Sequence, residues 1–199
     1  PRASSKLPED PAPETHARDE MEAGLMDPAD SVIVLAMHGA PPTDFPRRDL
    51  AEFFGLHMRL EHGALDQHEA AALRRRYAIL EDAMLGWARN EENDPFFAAS
   101  YRLAHALRRR TGMDVIVGFN EFCAPDLGQA LDQAVAQGAK RVLIVTPMMT
   151  PGGEHAEVDI PAAIDAARQR HRGVDFRYAW PFQTEDVAAF LADQVLRQV

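Results

Sequence analysis

The chain has 199 residues, 46% apolar and 26% charged, enough apolar material to bury one ordinary core. Its formal charge of −10 argues against nonspecific nucleic-acid binding and against an anionic membrane surface, which need a basic footprint. A single cysteine, Cys123, excludes a disulfide framework and a thiolate zinc cage.

No apolar run approaches the roughly 20 residues of a membrane span, and the N-terminus lacks a basic-then-apolar leader, so a cytoplasmic protein is expected. Residues 1–30 are rich in Pro, Glu, Asp and Ala without apolar periodicity. This predicts a flexible tail, with a short helical turn over Arg18 to Leu25. Residues 31–199 then form one domain. Val32 to Met37 is short, apolar and β-branched at its start, as a buried strand is. Asp114 to Phe119 and Arg141 to Met149 repeat the pattern, and Val174 to Trp180 alternates as an edge strand does.

Helical patterns separate the strands. Asp94 and Pro95 form a cap and first turn ahead of Phe97, Tyr101, Ala104 and Leu107, with arginines closing the last turn. Further helices run from Pro125 to Gly138, from Pro161 to His171, and from the cap candidate Thr184 to the end. Alternating strands and helices predict an α/β fold, a single doubly wound domain on a four-stranded parallel sheet. A helical insertion, about 45–92, exceeds a normal βα loop. It contains Arg47 to His62 and then Leu65 to Arg89, whose Leu73, Tyr77, Leu80, Met84 and Trp87 share one face. A lid, a dimer contact or both would explain it.

Ligands of open parallel sheets bind beyond the carboxyl ends of the strands. His38 follows the first strand, Glu121 the second and His155 the third. Two imidazoles and a carboxylate suit a borderline divalent ion such as cobalt, nickel, iron or zinc, and the imidazoles also accept protons near neutral pH. Asp159 either orients His155 or caps the next helix. Gly152 and Gly153 let the backbone approach a bulky ligand, and Met37, Met148, Met149, Phe45 and Phe122 are candidates for an apolar wall.

The stretch Phe119 to Pro125, the Gly138-Ala139 entry to the third strand and "GEHAEVDIP" at Gly153 to Pro161 resemble the CbiX-type sirohydrochlorin chelatases, a branch of the class II tetrapyrrole chelatases. "VIVLAMHGAP" resembles that family's first strand and His-Gly. The resemblance implies insertion of a divalent metal (cobalt, nickel or ferrous iron) into a tetrapyrrole such as sirohydrochlorin, without ATP or a nucleotide cofactor. It makes His38 and His155 the paired metal-binding and proton-accepting groups and Glu121 a third polar group. A substrate with several carboxylates needs a local positive patch, for which Arg47 and Arg48 and nearby helix N-termini are candidates. One copy of the motif pair in a chain too short for two full lobes predicts a homodimer.

Other readings stand beside these. His155 as an incidental loop residue, His38 as a structural one and Glu121 as a cap for the Pro125 helix are the plain alternatives. Met37 and Ala40, where the family usually has Gly and a small hydroxyl residue, motivate a non-catalytic carrier of a metal or tetrapyrrole. An interaction protein using the insertion as its partner surface is a third reading. The spacing of His57, His62 and His68 does not place them on one helical face, so solvated surface is expected there. Arg74 to Arg76 and Arg108 to Arg110 read as solvated faces. Cys123 reads as a small buried hydrophobe, with a soft metal ligand as the alternative.

Overall fold

A computed structural model describes residues 30–199. The predicted tail and its helical turn lie outside these residues, except Asp30. The strands are β1 (Ser31–Met37), β2 (Asp114–Phe119), β3 (Arg141–Val145) and β4 (Asp175–Tyr178), all parallel in the order β2-β1-β3-β4. The helices are α1 (Arg47–His62), α2 (Gln67–Leu85), α3 (Pro95–Thr111), α4 (Leu127–Ala136), α5 (Ile160–Arg170) and α6 (Thr184–Leu196). The chain adds β2 on one side of β1 and then returns to add β3 on the other. This reversal opens a crevice at the carboxyl edge.

β1 is central because all seven of its residues are buried, as a strand covered on both faces requires. Its side chains alternate between two cores. Val34 and Ala36 meet Ala130 and Leu131 of α4 and Ile164 of α5 on one face. Leu35 and Met37 join Val117, Phe119 and Ala104 on the other, with Phe97 and Tyr101 of α3 packed beside them. Helix α3 begins as its sequence demands: the Asp94 carboxylate accepts from Phe97 N, Pro95 occupies the first turn, and Gly112 ends it at φ 72°. Helix α4 starts with a reciprocal capping box between Asp126 and Gln129.

Several details differ from the expected elements, among them α2, which ends at Leu85 with Gly86 as its C-cap, so that Trp87 and Arg89 lie beyond the helix. β3 stops at Val145 rather than Met149, because its ladder with β1 ends at the Leu35–Val145 pair and Pro147 has no N–H to extend it. β4 is shorter than Val174 to Trp180 because it pairs with β3 only from Asp175 to Tyr178. The N-cap of α6 is Gln183, and Thr184 is already helical. His155 lies in a wide π-type turn, His155–Asp159, continuous with α5, rather than in a loop before a separate helix.

Helices α1 and α2 form a third cluster of their own. Phe45, Phe53, Leu56, Leu80 and Met84 are buried in it, and Phe53 stacks on Tyr77 with ring centroids 4.6 Å apart. Arg76 of α2 donates from Nε and Nη2 to the Glu52 carboxylate of α1 at 2.7 and 2.8 Å. Helix α6, by contrast, buries no residue and leaves Phe190, Leu191, Val195 and Leu196 more than half exposed. Among the described residues, no helix is long and apolar enough to cross a membrane.

Candidate metal centre

Three strand ends meet in the crevice. His38 is the first residue after β1, Glu121 lies two residues after β2, and His155 begins the turn into α5. His38 Nδ1 is 2.8 Å from Glu121 Oε1, and His155 Nε2 is 3.5 Å from the same oxygen. The two rings meet edge to face at 73°, with centroids 4.6 Å apart. One potential ligand atom from each residue lies within 4.8 Å of the others, and this is the one such group of His, Cys, Asp and Glu found among the described residues.

The loops that carry the triad are tied together by backbone. The N–H of Asn120 donates to the Met37 and His38 carbonyls at 2.9 and 3.0 Å, and that of Glu121 donates to the His38 carbonyl at 3.2 Å. Gly39 makes the approach possible. Its φ is +117°, and a Cβ there would lie 1.9 Å from the Glu121 carbonyl oxygen. Phe122 takes the left-handed conformation at φ 61° in the second loop, which closes back on β2 where Phe119 N–H donates to the Pro125 carbonyl at 3.0 Å.

A buried guanidinium secures both loops from below. Arg89 and Asp94 form an ion pair with side chains only 3% and 1% exposed. Arg89 also donates to the carbonyl of Ala40 at 2.7 Å, to that of Met84 at 3.2 Å, and to that of Phe122. It thereby joins the His38 loop, the Glu121 loop and the end of α2. A pair this deeply desolvated holds its partners firmly, because removing either charge strands the other. The sequence reading missed Arg89. Nothing marks it among the other arginines until the two loops are brought to it.

Asp159 orients the second imidazole. Its Oδ2 lies 2.6 Å from His155 Nδ1, and it makes no capping bond, which settles the two roles open to it in favour of orientation. With Nδ1–H donated to Asp159, the neutral His155 ring presents a lone pair at Nε2 toward Glu121. The carboxylate and this lone pair repel each other unless a proton or a cation sits between them. From β4, the Tyr178 hydroxyl donates to the Ala156 carbonyl at 3.0 Å and fixes the turn; burial, then Glu157, pushes its pKa up to about 12.

The remaining candidates are placed less centrally. Gly152 and Gly153 form the turn ahead of His155, and the N–H of Gly152 donates to Glu157 Oε1 at 2.9 Å. Met148 packs against the α4–α5 core of the sheet. Met37 lies in the α3-side core, and Phe45 in the α1–α2 cluster. Arg47 and Arg48 are exposed at the start of α1. Cys123 is fully buried, its thiol pushed up by that burial, with Sγ 3.7 Å from the Ala40 carbonyl. His57 pairs with Glu61 at 3.4 Å, so the α1 histidines do not form a second cluster.

The fold and this donor set define a parallel α/β protein with two imidazoles and a carboxylate converging at the carboxyl edge of its sheet. The chain belongs to the CbiX family, whose sequence model matches residues 90–199. Glu121 and His155 fall inside the match and His38 ahead of it. A sirohydrochlorin cobaltochelatase of Priestia megaterium is 39% identical over 70 residues, covering 35% of this chain and 22% of that protein. A sirohydrochlorin cobaltochelatase of Methanocaldococcus jannaschii is 32% identical over 71 residues, covering 35% and 49%. A sirohydrochlorin ferrochelatase of Priestia megaterium is 30% identical over 91 residues, covering 44% and 34%. The chain thus spans less than half the length of each of these relatives. Among solved structures, a putative cobalamin biosynthesis CbiX protein from Marinobacter aquaeolei VT8 aligns over 84% of this chain and 95% of that one, at TM-score 0.40 and 18% identity. The sirohydrochlorin chelatase SirB from Bacillus subtilis subspecies spizizenii, in complex with cobalt, aligns over 76% and 43%, at TM-score 0.37 and 16% identity.

Proposed function

We propose that this protein is a class II chelatase that inserts a divalent metal ion (cobalt, nickel or ferrous iron) into a tetrapyrrole, without ATP or a nucleotide cofactor. The observation that carries the reading is the convergence of His38, Glu121 and His155, with ligand atoms within 4.8 Å of one another. Two neutral imidazoles and a carboxylate suit a borderline divalent ion, and family membership agrees with that chemistry. In this reading the metal is a substrate. It loses water to the triad, and the macrocycle loses two pyrrole protons as the metal enters. His38 and His155 accept protons on the side where the metal is held, so one surface serves both steps. His38 is 48% exposed, which leaves the metal accessible, and three ligands on an open edge release it more readily than a closed four-ligand cage would.

Sirohydrochlorin is the first ring to test, because it is the ring named for the relatives. Anaerobic absorbance titration of the ring with cobalt, nickel or ferrous iron reads turnover directly. Catalytic turnover by the native protein and none by His155→Ala, with unchanged circular dichroism, is the expected result. Native turnover by His155→Ala would remove His155 from the mechanism. Stoichiometric binding without turnover would instead establish a carrier. The working unit in this reading is a homodimer, supported by the apolar stripe of α6, none of whose residues is buried among the described residues.

A further inference from the structure

One cavity of about 80 Å³, walled by Phe53, Phe54, Tyr77, Glu81 and Phe122, opens beside Glu121 and belongs to the site already described. A groove on the sheet itself does not. It holds about 210 Å³ and is lined by Ile33, Leu107, Leu143, Ile144, Val145 and Ala179, all apolar. Strand β3 shows its origin. Val142 and Ile144 are fully buried in the core made with α4 and α5, but Leu143 and Val145, which point to the other face, are only partly buried. On that other face Phe97, Tyr101 and Ala104 of α3 pack on β1 and β2. A parallel sheet is normally covered on both faces, so the β3–β4 half lacks a cover among the described residues. Helix α6 has the opposite deficiency, an apolar stripe with none of its residues buried.

We propose that α6 of a second copy covers this half of the sheet, each copy lending its helix to the other. The inference rests on the homodimer reading and names the two surfaces that meet. No residue of the chain's own α6 lines the groove. Its Val187 and Leu191 instead border a different groove with Met149 and Pro151, in the loop that leads to His155. Exchange about a two-fold axis lets one helix and one sheet face satisfy each other twice, so the contact closes at a dimer. Length fits. The 13 residues of α6 span about 20 Å, and the 5 of β3 about 16 Å. Charge fits as well. Helix α6 carries Glu185, Asp186 and Asp193 and no lysine or arginine. On β3 and β4, Arg141 and Arg177 share the single carboxylate of Asp175 at 3.0 and 2.8 Å, so two guanidiniums face one carboxylate and positive charge is in excess. Laid antiparallel to the strands, α6 brings Asp193, near its end, to the amino end of the sheet where that charge lies.

Disulfide trapping in the full chain tests the exchange. Leu143→Cys and Leu191→Cys are combined in one chain, oxidised at micromolar concentration and run on a non-reducing gel; the native Cys123 is buried. A covalent dimer that neither single variant gives is the expected result. Leu143→Glu is expected to raise the dimer dissociation constant about tenfold or more. Asp193→Arg is expected to weaken the dimer, and adding Arg177→Asp to restore it, with circular dichroism checking that each variant folds. A disulfide confined to single chains would show α6 closing on its own sheet and would overturn the exchange. A dimer by light scattering that forms no crosslink and is unmoved by Leu143→Glu would overturn the exchange and leave the homodimer reading intact. A monomeric native protein would overturn both.

Discussion

Asp159 stands four residues after His155 in one continuous helical segment, and its carboxylate holds Nδ1 of that ring at 2.6 Å. The spacing was visible in the sequence, but both a capping role and an orienting role fitted it. The π-type turn decides between them, because it puts Asp159 beside the ring instead of at a free helix end. Partners of this kind set the tautomer and basicity of a ligand histidine, and losing one typically costs about 10–100-fold in metal affinity. Asp159→Asn is therefore expected to weaken cobalt binding by about that factor, read by calorimetric titration, with little change in thermal stability. Gly39 gives a prediction of the opposite kind. In Gly39→Ala the methyl group would lie 1.9 Å from the Glu121 carbonyl oxygen on a backbone at φ +117°. The loops must separate, and a loss of about 1–3 kcal/mol is expected in urea unfolding, together with weakened metal binding. The His-Gly pair was legible in the sequence only as part of the family resemblance. Its physical reason was not, since the atom that excludes a side chain belongs to a loop some eighty residues away.

Among the elements, β1, β2 and α3 follow their sequence patterns closely, because their apolar periods and caps are local properties. β3 was read too long. Thr146 to Met149 is apolar enough for a strand, but pairing with β1 ends at Val145. A ladder needs a partner as well as a propensity. The α1–α2 pair was legible as helices with one apolar face. The small pocket it forms with the Glu121 loop was not, because the pocket depends on how segments distant in sequence meet. Glu81 on α2 reports on that junction. Burial, reinforced by Asp82, raises its carboxyl above the ordinary 4.5. The ionised form is thus disfavoured in the folded state. The folded protein is relieved of that cost below pH 4.5 and incurs it as pH rises through the raised pKa. Glu81→Gln does not titrate, so it is expected to be more stable than the native protein at neutral pH. The difference should disappear below 4.5. Chemical denaturation across that range measures it, and a constant offset would refute this account of Glu81.

At the scale of the whole molecule, one apolar stripe stays exposed among the described residues. Helix α6 carries Val187, Phe190, Leu191 and Val195 at three- and four-residue spacing, and none of them is buried. Burying a side chain such as Phe or Leu is worth about 1.5–3 kcal/mol, so this stripe favours association. A dimer by light scattering at micromolar concentration is expected, with Leu191→Glu shifting it toward monomer. A monomeric native protein would oppose the dimer reading.

The sequence by itself determined the α/β class, the order of strands and helices, the family resemblance and the candidate residues His38, Glu121 and His155. These follow from local periodicity, capping chemistry and short motifs, which the order of residues carries directly. Tertiary structure alone decided that the three groups lie within 4.8 Å of one another, that Arg89 fastens two of their loops, and that an aromatic, acid-lined pocket opens beside Glu121. Those properties belong to contacts between segments distant in sequence. Strand order, backbone clearance at Gly39 and burial around Arg89 fix them together.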